Sequence, residues 1–510
     1  MLPACTPERQ AAMSKSPRGA SRQPELFARS MRPTIEVSAD HPLAVLERTI
    51  DWTELAERAE QIRSMKLKSA AGAKPHLRAL NGAMILGAGR SMSFRVAEDQ
   101  IRHYAPARVL CGLTETNWTP DHNTIADYAQ LLGPEGMQLF NEYSVELAVT
   151  HGFADPSVMV ADTTAQEAAI PHPNEMGLMA SYVKAVEKAG QQASEEVPKD
   201  FAGKVEEQVK EATKKVREYR LLAKKKSGET EENSDDPEED TGEAKEKSVE
   251  TKEETVETSK QARNRIIGEM AKIVAGIQEK LGEALEKATP AADELRKVGK
   301  AAHSKLDQMH QMMTLLLPQI LYWLQTGKVA VDKIINLHIP ELYSIVRGKA
   351  GKAVEFGLKW GVRRIKGGYV LLTMAYDNHD LVDTRYAVRA VEEHIDMFGK
   401  PPESYAYDRG GWSKKNVEKL KGLGVAQVGL APRGKANWAV SGEVKRNLVN
   451  ERSKVEGCIG AIKNQRYGFN RPRARSVEMM GMCGHRAALG HNLNKLVRGL
   501  LGRKRWEMVG

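Results

Sequence analysis

Between His41 and about Thr150, apolar residues recur at spacings of three and four. LAVLERTIDWTELAERAEQI, PHLRALNGAMILGA and FRVAEDQIRHY each put one apolar stripe on a helix. In WTPDHNTIADYAQLLGPEG, Asp121 or Asn123 is placed to cap a short helix that ends before Gly133 and Pro134. The period then changes. Val158, Met159 and Val160 form a short buried-strand run that delivers Asp162 at its end. Residues from about 180 to 226 and from 259 to 317 are rich in Ala, Glu, Lys, Gln and Arg, the composition of long solvated helices. An acidic tract separates them, which predicts an inserted helical hairpin with a disordered tip, in its plainest reading a spacer.

After residue 350 strands return. AVEFGLKWGVRRI and GGYVLLTMAYD read as adjacent strands joined by a turn at Gly367 and Gly368, and TRYAVRAVEEHIDMF as a helix capped by Asp383. SYAYDRGGWSKKNVEKLKGLGVAQVGLAP reads strand, turn, helix, strand: Tyr405 to Tyr407, a turn at Gly410 and Gly411, Ser413 as N-cap, and Val425 to Leu430. That βαβ unit implies a parallel strand pair, so the fold class is α/β with a mixed sheet. The expected division is a disordered basic N-terminus (1–40), a helical domain (41–150), a first part of the sheet core (151–179), the helical insertion with its acidic linker near 227–258 (180–345), and the rest of the core with basic C-terminal helices (346–510). The helical domain is compatible with a helix-turn-helix DNA reader, and equally with any small helical domain.

Charge sharpens the picture. The formal net charge is +9, but nine acids and no Lys or Arg fall between Ser227 and Ala244, so the rest carries a net +18. Such an excess suits a polyanionic partner, nucleic acid before membrane. The four cysteines, Cys5, Cys111, Cys458 and Cys483, lack the spacing of a zinc site or a disulfide framework. No signal-like apolar run opens the chain, and MTLLLPQILYWL near residue 320 is too short and too interrupted by Pro318 to span a bilayer. A soluble protein of the cytoplasm is the expectation.

Three acids stand out by position. Asp162 and Asp408 end strands, and Glu456 projects from a helix after the sheet; the carboxyl ends of strands are the usual ligand crevice of open α/β sheets. Carboxylates held together repel unless a cation lies between them. Hard oxygen ligands favour Mg²⁺ or Mn²⁺, and a pair of such ions about 3.5 to 4 Å apart promotes in-line displacement at phosphorus. Arg452, Glu456 and Lys463 fall within about 40° of one another on a helix. Each residue also has an ordinary explanation: Asp408 starting its turn, Asp162 capping a bend, Glu456 paired with Arg452.

VADTTAQEAAIPHP, YDRGGW and the spacing of Arg452, Glu456 and Lys463 together resemble the catalytic signatures of bacterial insertion-sequence DDE transposases. HPLAVLERTIDW, TPDHNTIADYAQLLGPEG and VEFGLKW are similar to further segments of that group, so the resemblance spans residues 41 to 178 and 345 to 500. It implies a ribonuclease-H-like core, with Asp162, Asp408 and Glu456 as catalytic metal ligands for Mg²⁺ or Mn²⁺, two ions per site. It implies cleavage at inverted-repeat DNA ends, then attack of the freed 3′-hydroxyl on target DNA, by a homo-oligomer on double-stranded DNA. Arg452 and Lys463 would face phosphates. The Tyr that the group often carries three positions before the Arg is Val449 here, which leaves the metal ligands untouched.

Trp412 is a candidate for stacking on a base, or a packing residue. Arg466 and Arg471, within RYGFNRPRARS, are candidates for gripping DNA, or part of a solvated basic face. DNHDLVD, Asp377 to Asp383, reads as a helix-capping loop before a metal site, and Cys483 and His485 as structural. Two rival functions stay open: a transposase-derived DNA-binding regulator without catalysis, and an interaction protein organised by the insertion.

Overall fold

The computed structural model describes residues 36–67, 75–192, 200–231, 258–288, 297–349, 352–377, 379–432, 438 and 440–502. The segments expected to be disordered lie largely outside these residues. Ser227 to Glu231, assigned to the acidic tract, instead continue a helix.

Among the described residues six helices come first: α1 (Pro42–Thr49), α2 (Trp52–Lys66), α3 (Leu77–Ala88), α4 (Phe94–His103), α5 (Ala105–Leu110) and α6 (His122–Thr150). Asp121 caps α6, its Oδ1 accepting the amides of Asn123 and Thr124 at 2.8 Å each. The helix breaks where expected, at Gly133, whose φ of 66° disfavours a β-carbon. It then resumes after Pro134 and runs to Thr150.

The sheet comprises β1 (Asp155–Glu167), β2 (Tyr343–Lys349), β3 (Lys352–Lys366), β4 (Tyr369–Met374), β5 (Ser404–Tyr407) and β6 (Gln427–Leu430). Its order is β2-β3-β1-β5-β6, with β4 also on β3. Residues 360 to 365 of β3 pair with both β1 and β4, so β4 occupies the edge of β3 turned away from β1. Strands β1, β3 and β4 are antiparallel, and β1, β5 and β6 are parallel. The β3–β4 turn falls at Gly367 and Gly368, both with positive φ, 101° and 85°, a two-residue connection that favours glycine. Strand β1 corrects the sequence reading. It is 13 residues long, so Asp162 lies within it and not at its end.

Four more helices, α11 (Asp383–Phe398), α12 (Lys414–Gly422), α13 (Gly442–Ile462) and α14 (Val477–Leu500), sandwich the sheet. Side chains alternate across a strand, so Met159 and Ala161 enter the core shared with the N-terminal helices, while Val160 enters the other, under α13. Helix α14 contributes to both cores, with Leu489 and Leu493 in one and Met480 and Ala487 in the other. Cys483 and His485 lie on it as expected; His485 is buried and meets the Trp360 ring edge-on at 5.1 Å.

The insertion is a bundle, not a hairpin. Helices α7 (Glu175–Gln192), α8 (Asp200–Glu231), α9 (Ser259–Ala288) and α10 (Lys297–Thr326) surround a core of their own, including Tyr182, Ile266, Val274 and Leu306. The charged composition hid this core, because each helix carries only one apolar stripe. Helix α10 also runs through Pro318. At its base the chain enters and leaves together, where Lys333 Nζ lies 2.5 Å from Glu175 Oε1. The exit segment divides its apolar residues: Ile334 and Leu337 join the bundle core, Ile335 and Ile339 the sheet core. No helix among the described residues is long and apolar enough to cross a membrane.

A buried amide clamp joins the layers. Asn492 on α14 accepts the Val370 amide at 2.9 Å and donates to the Val370 carbonyl at 2.8 Å, completing the outer edge of β4 as another strand would. It also donates to Asn141 of α6 at 2.8 Å. Replacing it with Leu strands a buried donor, so Asn492→Leu is expected to lower stability by about 2–3 kcal/mol in urea unfolding. An unchanged midpoint would show that the clamp is dispensable.

Candidate active site

The last β1–β5 pair is Val160 with Ala406. Two residues beyond it, on the same face of both strands, stand Asp162 and Asp408. Neighbouring strands are about 4.8 Å apart, so the carboxylates emerge side by side. Burial raises the pKa of Asp162 to about 6, the negative charges of Asp408 and Asp383 push the same way, and the Thr163 amide (2.7 Å) and Arg452 oppose them. One strong cause, desolvation, and two like charges therefore make this acid costly to ionise.

Asp408 ends β5 by capping a short 3₁₀ turn, Arg409–Gly411, its Oδ1 accepting the Gly410 amide at 2.8 Å. Glycine is needed at both following positions because neighbours crowd them. A β-carbon at Gly410 would lie 2.6 Å from Asp383 Oδ2 and 2.9 Å from Asp408 Oδ1, and one at Gly411 would lie 2.5 Å from the Tyr407 ring. YDRGGW is thus a close-packed turn. Trp412 is half-buried against the core beneath it.

Asp383 is the residue that sequence reasoning misplaced. Val382 is the N-cap of α11, and Asp383, one position later, does not cap the helix. Its Oδ1 instead accepts the hydroxyls of Thr163 and Tyr407, each at 3.2 Å, and lies 3.6 Å from Lys359 Nζ. A third carboxylate therefore braces β1 against the turn that carries Asp408. Its local sequence offered only the pattern of a helix cap, and the contact with Thr163 and Tyr407 is tertiary. Within the same loop, Asp377 and Asp380 do accept turn amides, from His379 at 2.6 Å and from Asp377 at 3.2 Å.

Helix α13 covers the acid pair. Leu448, Val455 and Ile462 recur every seven residues and are buried. Taking Leu448 as zero, Arg452, Lys463 and Glu456 fall at about +40°, +60° and +80°, along one flank of that stripe. The charge of Arg452 acts on Asp162, and no Arg452–Glu456 ion pair forms among the described residues. Glu456 is exposed, one turn further along the flank. Among the described residues no three His, Cys, Asp or Glu side chains form a group that could hold a metal ion. The fold therefore brings Asp162 and Asp408 together, adds Asp383 and Arg452, and leaves Glu456 at the rim.

Lys463 and Arg471 lie toward the Glu167 end of β1. Lys463, the C-cap of α13, lines a cavity of about 850 Å³ together with Arg471, Arg473 and Arg486 over a floor that includes Met84 and Met479. Arg471 is exposed, and its Nε lies 3.1 Å from Glu167 Oε2. Arg466 is half-buried, 5.8 Å from the Tyr467 ring. The VADTTAQE segment also has an internal role: Gln166 accepts Trp360 Nε1 at 3.0 Å and donates to the Met480 carbonyl at 3.1 Å, tying β1 to α14.

Two outcomes follow from the acid cluster. Because the folded-state pKa of Asp162 is raised, folding works against its ionisation above about pH 6 and is indifferent to it below about pH 4. Asp162→Asn is therefore expected to stabilise the metal-free protein at pH 8 by roughly 1–2 kcal/mol, with the gain vanishing at pH 4. Equal gains at both values in thermal melts would contradict the cluster. Asp383→Ala is expected to quicken hydrogen exchange at Gly410 and Gly411; unchanged protection would remove Asp383 as the brace.

Residues 33–131, which cover α1 to α5 and the start of α6, match the family model described as Transposase domain (DUF772). No curated protein and no solved structure matches the chain.

Proposed function

We propose, from the premise that residues 33–131 are a transposase-family domain, that the protein cleaves and joins DNA at the inverted-repeat ends of an insertion sequence. The observation that carries this reading is that Asp162 and Asp408 each stand two residues past the last paired positions, Val160 and Ala406, of adjacent parallel strands, with the charge of Arg452 acting on Asp162. The sheet supports a ribonuclease-H-like core: three antiparallel strands, β4, β3 and β1, followed by the parallel β5 and β6. The family of the N-terminal domain makes DNA the partner, and the net positive charge agrees with it.

Two carboxylates whose charges repel, one of them costly to ionise, are a donor set that a divalent cation relieves. Asp162 and Asp408 would hold Mg²⁺ or Mn²⁺, one ion or a pair, and bound metal would polarise the phosphodiester and lower the pKa of an attacking water. Asp383 keeps the Asp408 turn in place, and Arg452 offers a planar guanidinium suited to a phosphate. Glu456 enters as the third carboxylate from the same flank of α13, with Lys463 beyond it facing the DNA. Hydrolysis and strand transfer are both in-line displacements, so one site serves for both.

The exposed position of Glu456 favours one second reading, a DNA-binding regulator of transposase descent that does not cut. Supplying Mn²⁺ and DNA bearing the element's ends separates the two. Cleavage is expected from the wild type, with a loss of at least about a thousandfold in Asp162→Ala, Asp408→Ala and Glu456→Ala and DNA affinity kept within a few-fold. Wild-type binding without nicking would select the regulator, and vigorous cleavage by Glu456→Ala would remove that residue from the site.

A further inference from the structure

The other flank of α13 faces a different chemistry. Glu451 and Cys458 lie at about −60° and −80° from Leu448, across the apolar stripe from Arg452. There the β3–β4 turn, α13 and α14 gather cations. Arg364 of β3 is 5% exposed, and its Nη1 lies 2.7 Å from Glu451 Oε2. His491 donates to the Gly368 carbonyl at 3.1 Å, and the Cys458 thiol approaches the same oxygen at 3.7 Å. A β-carbon on Gly368 would lie 3.2 Å from Lys495 Nζ, so that ammonium sits directly over the turn. The charges of both Arg364 and Arg498 act on Lys495, and those of Arg466 and Arg498 on Tyr467, whose ring centroid is 6.3 Å from that of His491.

Acids do not balance this group. Glu451 is divided between Arg364 and Lys454, and the nearby Asp155 pairs with Lys366. Several buried guanidinium nitrogens have no hydrogen-bond acceptor among the described residues: Arg364 Nε, Arg466 Nε and Nη2, and Arg498 Nε. Burial lowers the pKa of Lys495, and the neighbouring Arg498 and Arg364 add to that against the opposing influence of Cys458; burial likewise holds His491 near about 4, neutral. Buried cationic donors without acceptors cost free energy unless an anion supplies them. A tetrahedral oxyanion offers the acceptors that these donors lack.

We propose that Arg364, Arg466, Lys495 and Arg498 form a phosphate-binding site at the β3–β4 turn, and that its ligand is a phosphodiester of the DNA backbone, held on the side of α13 away from the acid pair. The helix then separates two DNA contacts, one over Asp162 and Asp408 and one that only grips. A free anion has the same chemistry as the backbone phosphate, so two measurements on the full chain are needed, neither of which reads cleavage. In the first, thermal melts compare inorganic phosphate with chloride at equal ionic strength. The wild type is expected to melt higher in phosphate, and the double variant Lys495→Met, Arg498→Met to lose that rise while melting in chloride no lower than the wild type.

In the second, binding of random-sequence duplex DNA is followed against salt. Losing that one phosphate contact should reduce the slope of log K against log salt by about 0.9. Lys495→Arg, which keeps the charge, should retain both responses. A double variant that keeps the phosphate-dependent rise would overturn the site. Loss of the rise with an unchanged salt slope would assign the site to a free anion and overturn DNA as its ligand. Because neither measurement depends on Asp162 or Asp408, failure here leaves the cleavage reading standing, and the converse also holds.

Discussion

Strand β1 is committed on both edges, antiparallel to β3 and parallel to β5, and the second of these pairings sets everything else. Register with β5 brings Asp162 level with Asp408 on the face beneath α13. A slip of one residue would turn Asp162 into the opposite core, among Met159, Ala161 and Tyr405. The register is held from several directions. Val160 and Ala406 are buried under α13, Gln166 is locked between Trp360 and α14, and Asp383 receives hydrogen bonds from β1 and β5 together. So much fixing has a cost, because it keeps two like charges close in a half-dry setting. Proteins retain such a cost where a cation or a proton relieves it.

Helix α13 gives that pair its surroundings. Its heptad of Leu448, Val455 and Ile462 lies on the sheet, and the Arg364–Glu451 ion pair pins one flank. The other flank carries Arg452 and Glu456, and Lys463 at the helix end lines the separate cavity with Arg471 and Arg486. The single acid among these cations is therefore not neutralising its neighbour. Arg452 acts on Asp162 instead, and Glu456 stays open to solvent.

Much of the α/β core was legible because strands and turns leave short, local signals: the β3–β4 glycine turn, the Ser413 cap, and the β5–α12–β6 unit all stand where periodicity and turn chemistry put them. Asp408 stands at the end of its strand as read, whereas Asp162 lies on its strand but within it and not at its end. What failed depended on partners far away in sequence. The length of β1 comes from its pairing with β3, two hundred residues later, and the bundle core forms only when four weakly apolar stripes meet. Asp383 looked like a cap because Asp at a helix start usually is one, and only tertiary contact with Thr163 and Tyr407 redirected it. Asn492 carried no signal at all, since a buried amide that completes a sheet edge reads in sequence like any polar residue on a helix.

The central claim is that two strand-borne carboxylates are set to share a cation. Crystals of the protein soaked in Mn²⁺ and measured at the manganese absorption edge address it directly. An anomalous peak within about 2.0–2.4 Å of oxygens from both Asp162 and Asp408 is the expected result. Ordered side chains at both positions with no peak between them, or manganese bound only elsewhere, would contradict it.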